Sequence, residues 1–227
     1  MPRPGSVTVI IPSLDEELRI GGAVASVAAG ASEVIVVDGG STDATVREAR
    51  AAGARVVFGR HGRAAQMDAG AGEARGEWLV FLHADTRLER GWVEALERLD
   101  GEVVGGAFRF RLDSPRWRYR IVEAAVRLRC AALALPYGDQ ALFARREAFH
   151  RAGGFGRVPI LEDVDLVRRL RRFGPLAFPP VPAVTSARRW EERGFLLTTS
   201  LNGLVLLLGV AGFPRPRLAR LYGGRGS

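Results

Sequence analysis

Apolar and polar positions alternate in short blocks through the first hundred residues. The runs Val7–Ile11, Glu33–Val37, Arg55–Phe58 and Trp78–Leu82 are rich in β-favouring side chains. Between them lie stretches with apolar residues at helical spacing, Glu16–Ala28, Asp43–Ala52 and Arg63–Ala74. Val34-Ile35-Val36-Val37 has no polar interruption, as a strand covered on both faces requires. Strand and helix in succession predict a mainly parallel α/β sheet with helices on both faces. Beyond residue 100 the pattern loosens. Val103–Leu112 reads as one longer strand and Trp117–Leu135 as a helix with an arginine-decorated face. The segment from Pro159 to Leu166 opens a helix with Leu161, Val164, Val167 and Leu170 on its buried side. One domain over 1–190, with halves at about 1–100 and 101–190, is expected to carry a C-terminal helical extension over 191–227.

That extension contains Phe195 to Phe213, 19 residues without a charge. A membrane span needs about 20 apolar residues, and Thr198, Thr199, Ser200, Asn202, Gly209 and Gly212 weaken that reading. Three readings stay open: a lone span, a helix on a membrane surface, and a helix packed on the domain or a partner. Arg215, Arg217 and Arg220 follow; they either meet lipid head groups or form a solvated cap.

Composition narrows the chemistry. The 33 basic residues are all arginine, which removes a Walker-type phosphate loop, a Schiff-base lysine and a lysine general base. Against 25 acids they leave a net charge of +8, suited to a diphosphate, an anionic membrane or nucleic acid alike. The arginines are dispersed and no helix-turn-helix, zinc or RNA-reading pattern accompanies them, so nucleic acid is not expected. Cys130 is the sole cysteine, which excludes an intramolecular disulfide and a cysteine zinc cluster and fits a reducing cytosol. Met1 to Ser6 leads directly into the first strand without a signal-peptide core, and only the end, 223–227, resembles low complexity.

In doubly wound sheets, ligands settle beyond the carboxyl ends of the strands. That rule selects Pro12–Glu17, Asp38–Asp43 and His83–Thr86, each with carboxylates. In the first loop, proline ends a strand and Asp15, Glu16 and Glu17 sit where acids also simply cap a helix. In the second, Asp38 ends a strand, Gly39 and Gly40 let a ligand approach the backbone, and Ser41 to Asp43 are cap residues. In the third, His83 and Asp85 are two positions apart and point the same way if the chain stays extended. Hard divalent ions take oxygen ligands and keep waters and substrate phosphates, so one carboxylate there suffices; the alternative for Asp85 is a structural cap. Further on, Asp163 falls in the first turn of a helix, where the dipole favours its ionised form; a purely capping role for Glu162, Asp163 and Asp165 is the alternative.

Taken together, these segments resemble the family 2 glycosyltransferases of GT-A fold over most of residues 7–190. The resemblance implies that the opening Ile-Ile-Pro, with Pro12, leads to Glu16 on the ribose, with Asp15 where Asn is usual. It implies that Asp38 contacts the base. Gly62 to Gly70 is similar to the family's donor-side helix entry, bringing in Arg63 and Asp68, the latter where Asn is usual. His83-Ala84-Asp85 resembles the metal-binding Asp-x-Asp motif with His83 replacing its first Asp, which leaves Ala84 beside the donor and Asp85 as the metal ligand. Glu162-Asp163 resembles the pair that carries the catalytic base; Asp163 is assigned that role, with Asp165 as the alternative. Thr185 to Trp190 looks like a degenerate Gln-x-x-Arg-Trp motif with Ser186 in the Gln place, which argues against a processive synthase. It leaves Arg188 and Arg189 for the leaving diphosphate. Gly138-Asp139-Gln140, after Pro136-Tyr137, falls where acceptor-side loops lie, so Asp139, Gln140, Glu162 and Trp190 are expected to read acceptor or donor hydroxyls. A small bacterial subgroup with His-Ala-Asp-Thr, Gly-Asp-Gln and Arg-Arg-Trp segments is similar throughout.

The implied activity is inverting transfer of a sugar from a nucleoside-diphosphate sugar, UDP favoured, to an acceptor hydroxyl, with Mg²⁺ or Mn²⁺ as cofactor. The implied place is the cytoplasm, peripheral at the inner face of the cell membrane through 195–220. A nucleotidyltransferase would need a Gly-rich phosphate loop where Pro12-Ser13-Leu14-Asp15 stands. A non-catalytic sugar-nucleotide or membrane scaffold is the other alternative, because the first metal-motif Asp is missing at His83.

Overall fold

The computed structural model describes residues 6–133, 135–136, 138–156 and 160–222; Tyr137, Pro159 and the tail 223–227 lie outside the described residues. The first half runs β1 (Val7–Ser13), α1 (Ile20–Ala28), β2 (Glu33–Asp38), α2 (Thr45–Ala51), β3 (Arg55–Phe58), α3 (Arg63–Glu73), β4 (Trp78–Phe81). Then come β5 (Thr86–Leu88), α4 (Trp92–Glu97), β6 (Gly105–Ala107), β7 (Arg109–Leu112), α5 (Trp117–Leu133) and a 3₁₀ turn at Gly138–Gln140. The chain continues through β8 (Leu142–Arg145), α6 (Arg146–Arg151), α7 (Glu162–Leu170), β9 (Leu176–Ala177) and β10 (Pro182–Thr185). It closes with α8 (Arg188–Arg193), α9 (Phe195–Val210) and α10 (Arg215–Tyr222).

Seven strands form one sheet in the order β3-β2-β1-β4-β8-β6-β9. The first four are parallel, β8 is antiparallel to both neighbours, and β9 is parallel to β6. The chain winds outward from β1 through β2 to β3, then returns to β4 on the other side. The crevice beyond the ends of β1 and β4 is therefore the topological switch point. Period-two alternation divides the core between the two faces. Val9, Ile11, Val36 and Val80 pack with α1, while Ile10, Ile35, Leu79 and Phe81 pack with Met67 of α3 and Leu166 of α7. Each such side chain contributes about 1.5–3 kcal/mol on burial, which is why the uninterrupted apolar runs lie at the centre of the sheet.

Two expectations change. Val103–Leu112 is not one strand. The Phe108 N–H bonds the Gln140 carbonyl at 2.9 Å and the next N–H, of Arg109, bonds the Val181 carbonyl at 2.9 Å, so the chain passes at Phe108 from the large sheet to a second one, β5-β10-β7. Gly106 permits this crowding, because a Cβ there would overlap the Ala177 carbonyl. The first helix starts at Ile20 rather than Glu16, with no side-chain cap at its N-cap Arg19, because the acids before it are engaged elsewhere. Among the described residues no helix is long and apolar enough to cross a membrane. Instead Val205 of α9 and Leu218 of α10 are buried against Leu161 and Val164 at the start of α7.

Candidate active site

Ser13 at the end of β1 stands beside Asp38 at the end of β2, so the two loops that follow leave the sheet together. They are sewn to each other. The Asp15 N–H bonds Ser41 Oγ at 2.9 Å, and the Thr42 N–H bonds Asp15 Oδ1 at 2.8 Å. The Glu16 N–H bonds Thr45 Oγ1 at 2.7 Å, and the Ala44 N–H bonds Glu17 Oε2 at 2.9 Å. Asp38 is 1% exposed. Its Oδ2 accepts the N–H groups of Gly40 and Ser41 at 3.0 Å each, and its Oδ1 accepts Ser41 Oγ at 2.5 Å. The carboxylate thereby fixes the turn that Gly40 makes at φ 102°. From below, Gln66 of α3 donates Nε2 to the Ser13 and Val37 carbonyls at 2.7 and 2.9 Å. A Cβ at Gly39 would stand 2.8 Å from that nitrogen. Pro12, buried and paired with Val37, completes the floor.

Glu16 turns the other way. Its Oε2 accepts from Arg19 at 3.3 Å and its Oε1 lies 3.8 Å from Arg188. Burial, and then the charge of Asp85, push its pKa above the usual carboxylate range, against the pull of Arg188 and Arg19. Glu16 and Asp85 therefore share one space.

After β4, His83 to Thr86 form a turn closed by the Thr86 N–H on the His83 carbonyl at 3.0 Å, so the extended geometry expected for His83 and Asp85 is replaced by a bend. Strand β5, not a helix, follows Asp85. The bend is tied to the end of β10 by the Ser186 N–H on the Asp85 carbonyl at 3.1 Å and by Thr86 Oγ1 on Thr185 Oγ1 at 2.9 Å. Ala84 is buried in the core. His83 Nε2 is shielded from water without a hydrogen-bond partner. Burial, then the charges of Arg63 and Arg189, hold its pKa well below the usual imidazole range, leaving the ring neutral at pH 7. Among the described residues no three His, Cys, Asp or Glu side chains are preassembled around a cation. The donor set fits an ion that takes Asp85 and completes its shell with phosphate oxygens and water.

The opposite wall is α7. Leu161, at φ 61°, turns the chain so that Glu162 and Asp163 open the helix; they are 3% and 5% exposed. Arg63 at the start of α3 reaches across to Glu162 Oε1 with Nε at 2.8 Å and Nη2 at 2.7 Å. Burial opposes the Arg63 charge, but Glu162, then Asp163 and Asp139, hold it. Asp139 has its pKa raised by burial foremost; Arg129, Arg189 and Arg63 act against that, and Asp85 adds to it. Glu16, Asp85, Asp139, Arg63, Arg189 and Asp163 thus form one series of neighbouring charges beyond the ends of β1 and β4. Among the described residues the non-glycine positions with positive φ are Asp15, Ala141 and Leu161. Each adjoins a loop of this cleft, where strained backbone gathers in functional sites.

Asp38, expected on the base, is spent on its own turn, Ala84, expected beside the donor, lies in the core, and four more expected residues stand elsewhere or act through others. Asp68 accepts the Phe155 N–H on Oδ1 at 2.9 Å and closes on Gly154, where a Cβ would meet that oxygen at 2.6 Å. It clamps α3 to the turn after α6 instead of entering the cleft. Gln140 is buried and spends its amide on Phe108 O, 3.3 Å, and Arg129, 3.3 Å, so it positions the Asp139 turn. Trp190 packs in a small core with Phe110 and Tyr119, its Nε1 donating to Thr199 Oγ1 at 3.3 Å. Asp165, the alternative base, is held by Arg215 at 2.6 Å. The feature that sequence reasoning missed is Gln66, whose polar side chain on an otherwise small-residue helix face was its one visible signal.

The sequence model of glycosyl transferase family 2 matches residues 8–155, the greater part of the chain. The chain belongs to glycosyl transferase family 2. Glucosyl-3-phosphoglycerate synthase of Mycolicibacterium paratuberculosis is a relative at 36% identity over a 93-residue alignment, taking in 35% of this chain and 28% of that one. The alignment thus spans under a third of the relative. A mycobacterial protein of known crystal structure shares the fold at TM-score 0.63 and 27% identity, with 92% of this chain and 75% of that chain covered. Glucosyl-3-phosphoglycerate synthase of Mycobacterium tuberculosis, crystallised with Mn²⁺, UDP and glucosyl-3-phosphoglycerate, matches at TM-score 0.63 and 24% identity, with coverages of 92% and 81%. At that identity the likeness is one of fold. The family 2 glycosyltransferase fold, with its mainly parallel sheet, is what the chain carries.

Proposed function

We propose that this glycosyltransferase moves a sugar from a UDP-sugar to an acceptor hydroxyl with inversion, using a divalent cation. The observation that carries the reading is that separate segments meet beyond the sheet: Arg188 lies 3.8 Å from Glu16, the Ser186 N–H bonds the Asp85 carbonyl at 3.1 Å, and Arg63 reaches Glu162, next to Asp163, at 2.7 Å. The loop shaped by Asp38 offers backbone groups to the base, and Glu16 faces the ribose. Asp85 would hold the cation, either Mg²⁺ or Mn²⁺; when bound, it neutralises charge on the departing diphosphate. Arg188 and Arg189 add fixed, forked positive charge for the same oxygens. Asp163 accepts the proton of the acceptor hydroxyl as its oxygen attacks the anomeric carbon, and the bond to the diphosphate breaks on the opposite side. Arg63, anchored on Glu162, sets a fixed positive charge near Asp163. In this reading residues 1–100 serve the nucleotide and 101–190 the acceptor. The reaction takes place in the cytoplasm, at the inner face of the cell membrane, with 195–220 as the attachment.

The Mycobacterium tuberculosis enzyme with its bound Mn²⁺ and UDP supports the donor and the metal class. The test is UDP release from a panel of UDP-sugars with Mn²⁺ or Mg²⁺, followed by the anomeric configuration of the product by NMR. Metal-dependent release that disappears in Asp85→Ala is expected. Binding of a UDP-sugar without any release would favour the non-catalytic scaffold instead.

A further inference from the structure

The exposed apolar side chains are concentrated. Eight of the twelve large hydrophobics exposed among the described residues lie on α5, on α9 or in the turn after α9. On α5, Trp117, Ile121 and Leu128 are 76%, 56% and 70% exposed and fall on one helical stripe. On α9, Leu196, Leu204 and Leu207 are 77%, 46% and 70% exposed and do the same. The helices are neighbours running the same way. Tyr119 near the start of α5 meets Phe195 at the start of α9, ring centroids 5.8 Å apart, and Leu135 just past α5 joins Val205 and Leu218. Solvent-exposed apolar surface gathered on adjacent helices marks a contact surface.

Charge selects what covers it. Helix α5 carries Arg118, Arg120, Arg127 and Arg129 and one acid, Glu123, which is turned inward to accept the Leu112 N–H at 2.8 Å and pairs with Arg120. Helix α9 has no charge, and α10 has arginines and no acid. A second copy seated here by twofold symmetry would set these arginines against their equivalents. Arg118 stacks on Tyr119 and Phe195, and Arg129 and Arg215 turn inward, so the exposed positive charge is that of Arg120, Arg127, Arg217 and Arg220; an anionic bilayer takes both the apolar stripes and these arginines.

The same helices support the acceptor side of the cleft. Arg129 donates to the Leu135 carbonyl at 2.9 Å and to Gln140 Oε1 at 3.3 Å, beside Asp139. Leu161, which turns the chain into Asp163, lies on α9 at Gly209, where a Cβ would overlap it. Arg215 holds Asp165. One helix, about 10 Å thick, therefore separates the apolar stripe of α9 from the start of α7.

We propose that α5 and α9 dock the protein on an anionic membrane, and that the acceptor is a hydroxyl-bearing amphiphile whose apolar part stays in that membrane while its hydroxyl meets Asp163. The acceptor class rests on the transfer reaction proposed for the cleft.

The test uses the full chain, wild type, Ile121→Glu and Leu207→Glu, with vesicles of phosphatidylcholine with or without phosphatidylglycerol. Sedimentation reads docking, UDP release reads donor cleavage, and labelled UDP-sugar with vesicles containing bacterial lipid extract reads the acceptor. Wild type should bind phosphatidylglycerol vesicles about tenfold more tightly than neutral ones. Each glutamate variant should lose that binding with UDP release intact, and label should enter the solvent-extractable lipid. Equal or absent vesicle binding with UDP release intact overturns the docking face, and with it the attachment through 195–220, and leaves the transfer reaction standing. A wild-type dimer split by either glutamate, without vesicle binding, overturns it in favour of a second copy. Normal vesicle binding with label confined to water-soluble product overturns the amphiphilic acceptor. No UDP release from any donor removes the reaction itself, and the acceptor class with it, whatever the vesicles do.

Discussion

The two sides of the cleft are built by different means. The nucleotide side is saturated by short polar side chains: Asp38 and Gln66 satisfy backbone groups of two adjacent strand ends, and the loops after β1 and β2 bond to each other over 26 to 29 residues of sequence. The acceptor side is held by long arginines joining distant elements. Arg63 and Glu162 are 99 residues apart, and Arg215 and Asp165 are 50 apart. A saturated scaffold of short side chains on adjacent strand ends is preorganised for a constant ligand. Long side chains over strained turns at Ala141 and Leu161 can be rearranged for a variable one.

The sharpest break in that comparison is Asp163→Asn. It should lower kcat by about 10²–10⁴-fold with UDP affinity unchanged, measured by steady-state kinetics beside a UDP titration; a matched loss of UDP binding would mean that the two sides are not separable. Smaller is Gln66→Leu, which strands the buried Ser13 and Val37 carbonyls. A loss of about 1–3 kcal/mol in urea unfolding is expected, with a raised donor KM and little change in kcat. Unaltered stability would show that the loop floor is held by something else.

The smallest effect concerns pH. Asp139 has a raised folded-state pKa, so the stability of its neutral form is fully present below the unfolded value and lost as pH rises through the folded value. Asp139→Asn, always neutral, should therefore melt above wild type at neutral pH, by about 4 °C or less, and match it at acid pH below the ordinary carboxylate range. A lower melting temperature at neutral pH would show that the surrounding arginines need the charge.

What could be read from the chain follows the same division. Val34 to Val37, and the run Val7 to Ile11, announced strands because burial on both faces constrains composition directly. The strand-end loops followed from the sheet. The break at Phe108 left no mark, because it depends on hydrogen bonds to Gln140 and Val181, far away in sequence. Asp68 and Trp190 occupied expected motif places, yet their partners, Phe155 and Thr199, are set by tertiary packing. The acids at 15 and 17 looked like helix caps, since nothing local shows that a neighbouring loop will claim them.

The most direct measurement is calorimetric titration of UDP with Mn²⁺ into wild type, Asp85→Ala and Asp163→Asn. Metal-dependent UDP affinity should vanish in Asp85→Ala and persist at the wild-type value in Asp163→Asn, which nevertheless fails to transfer sugar. Wild-type affinity in Asp85→Ala, or equal losses in both variants, would contradict a cleft with one wall for the donor and the other for the acceptor.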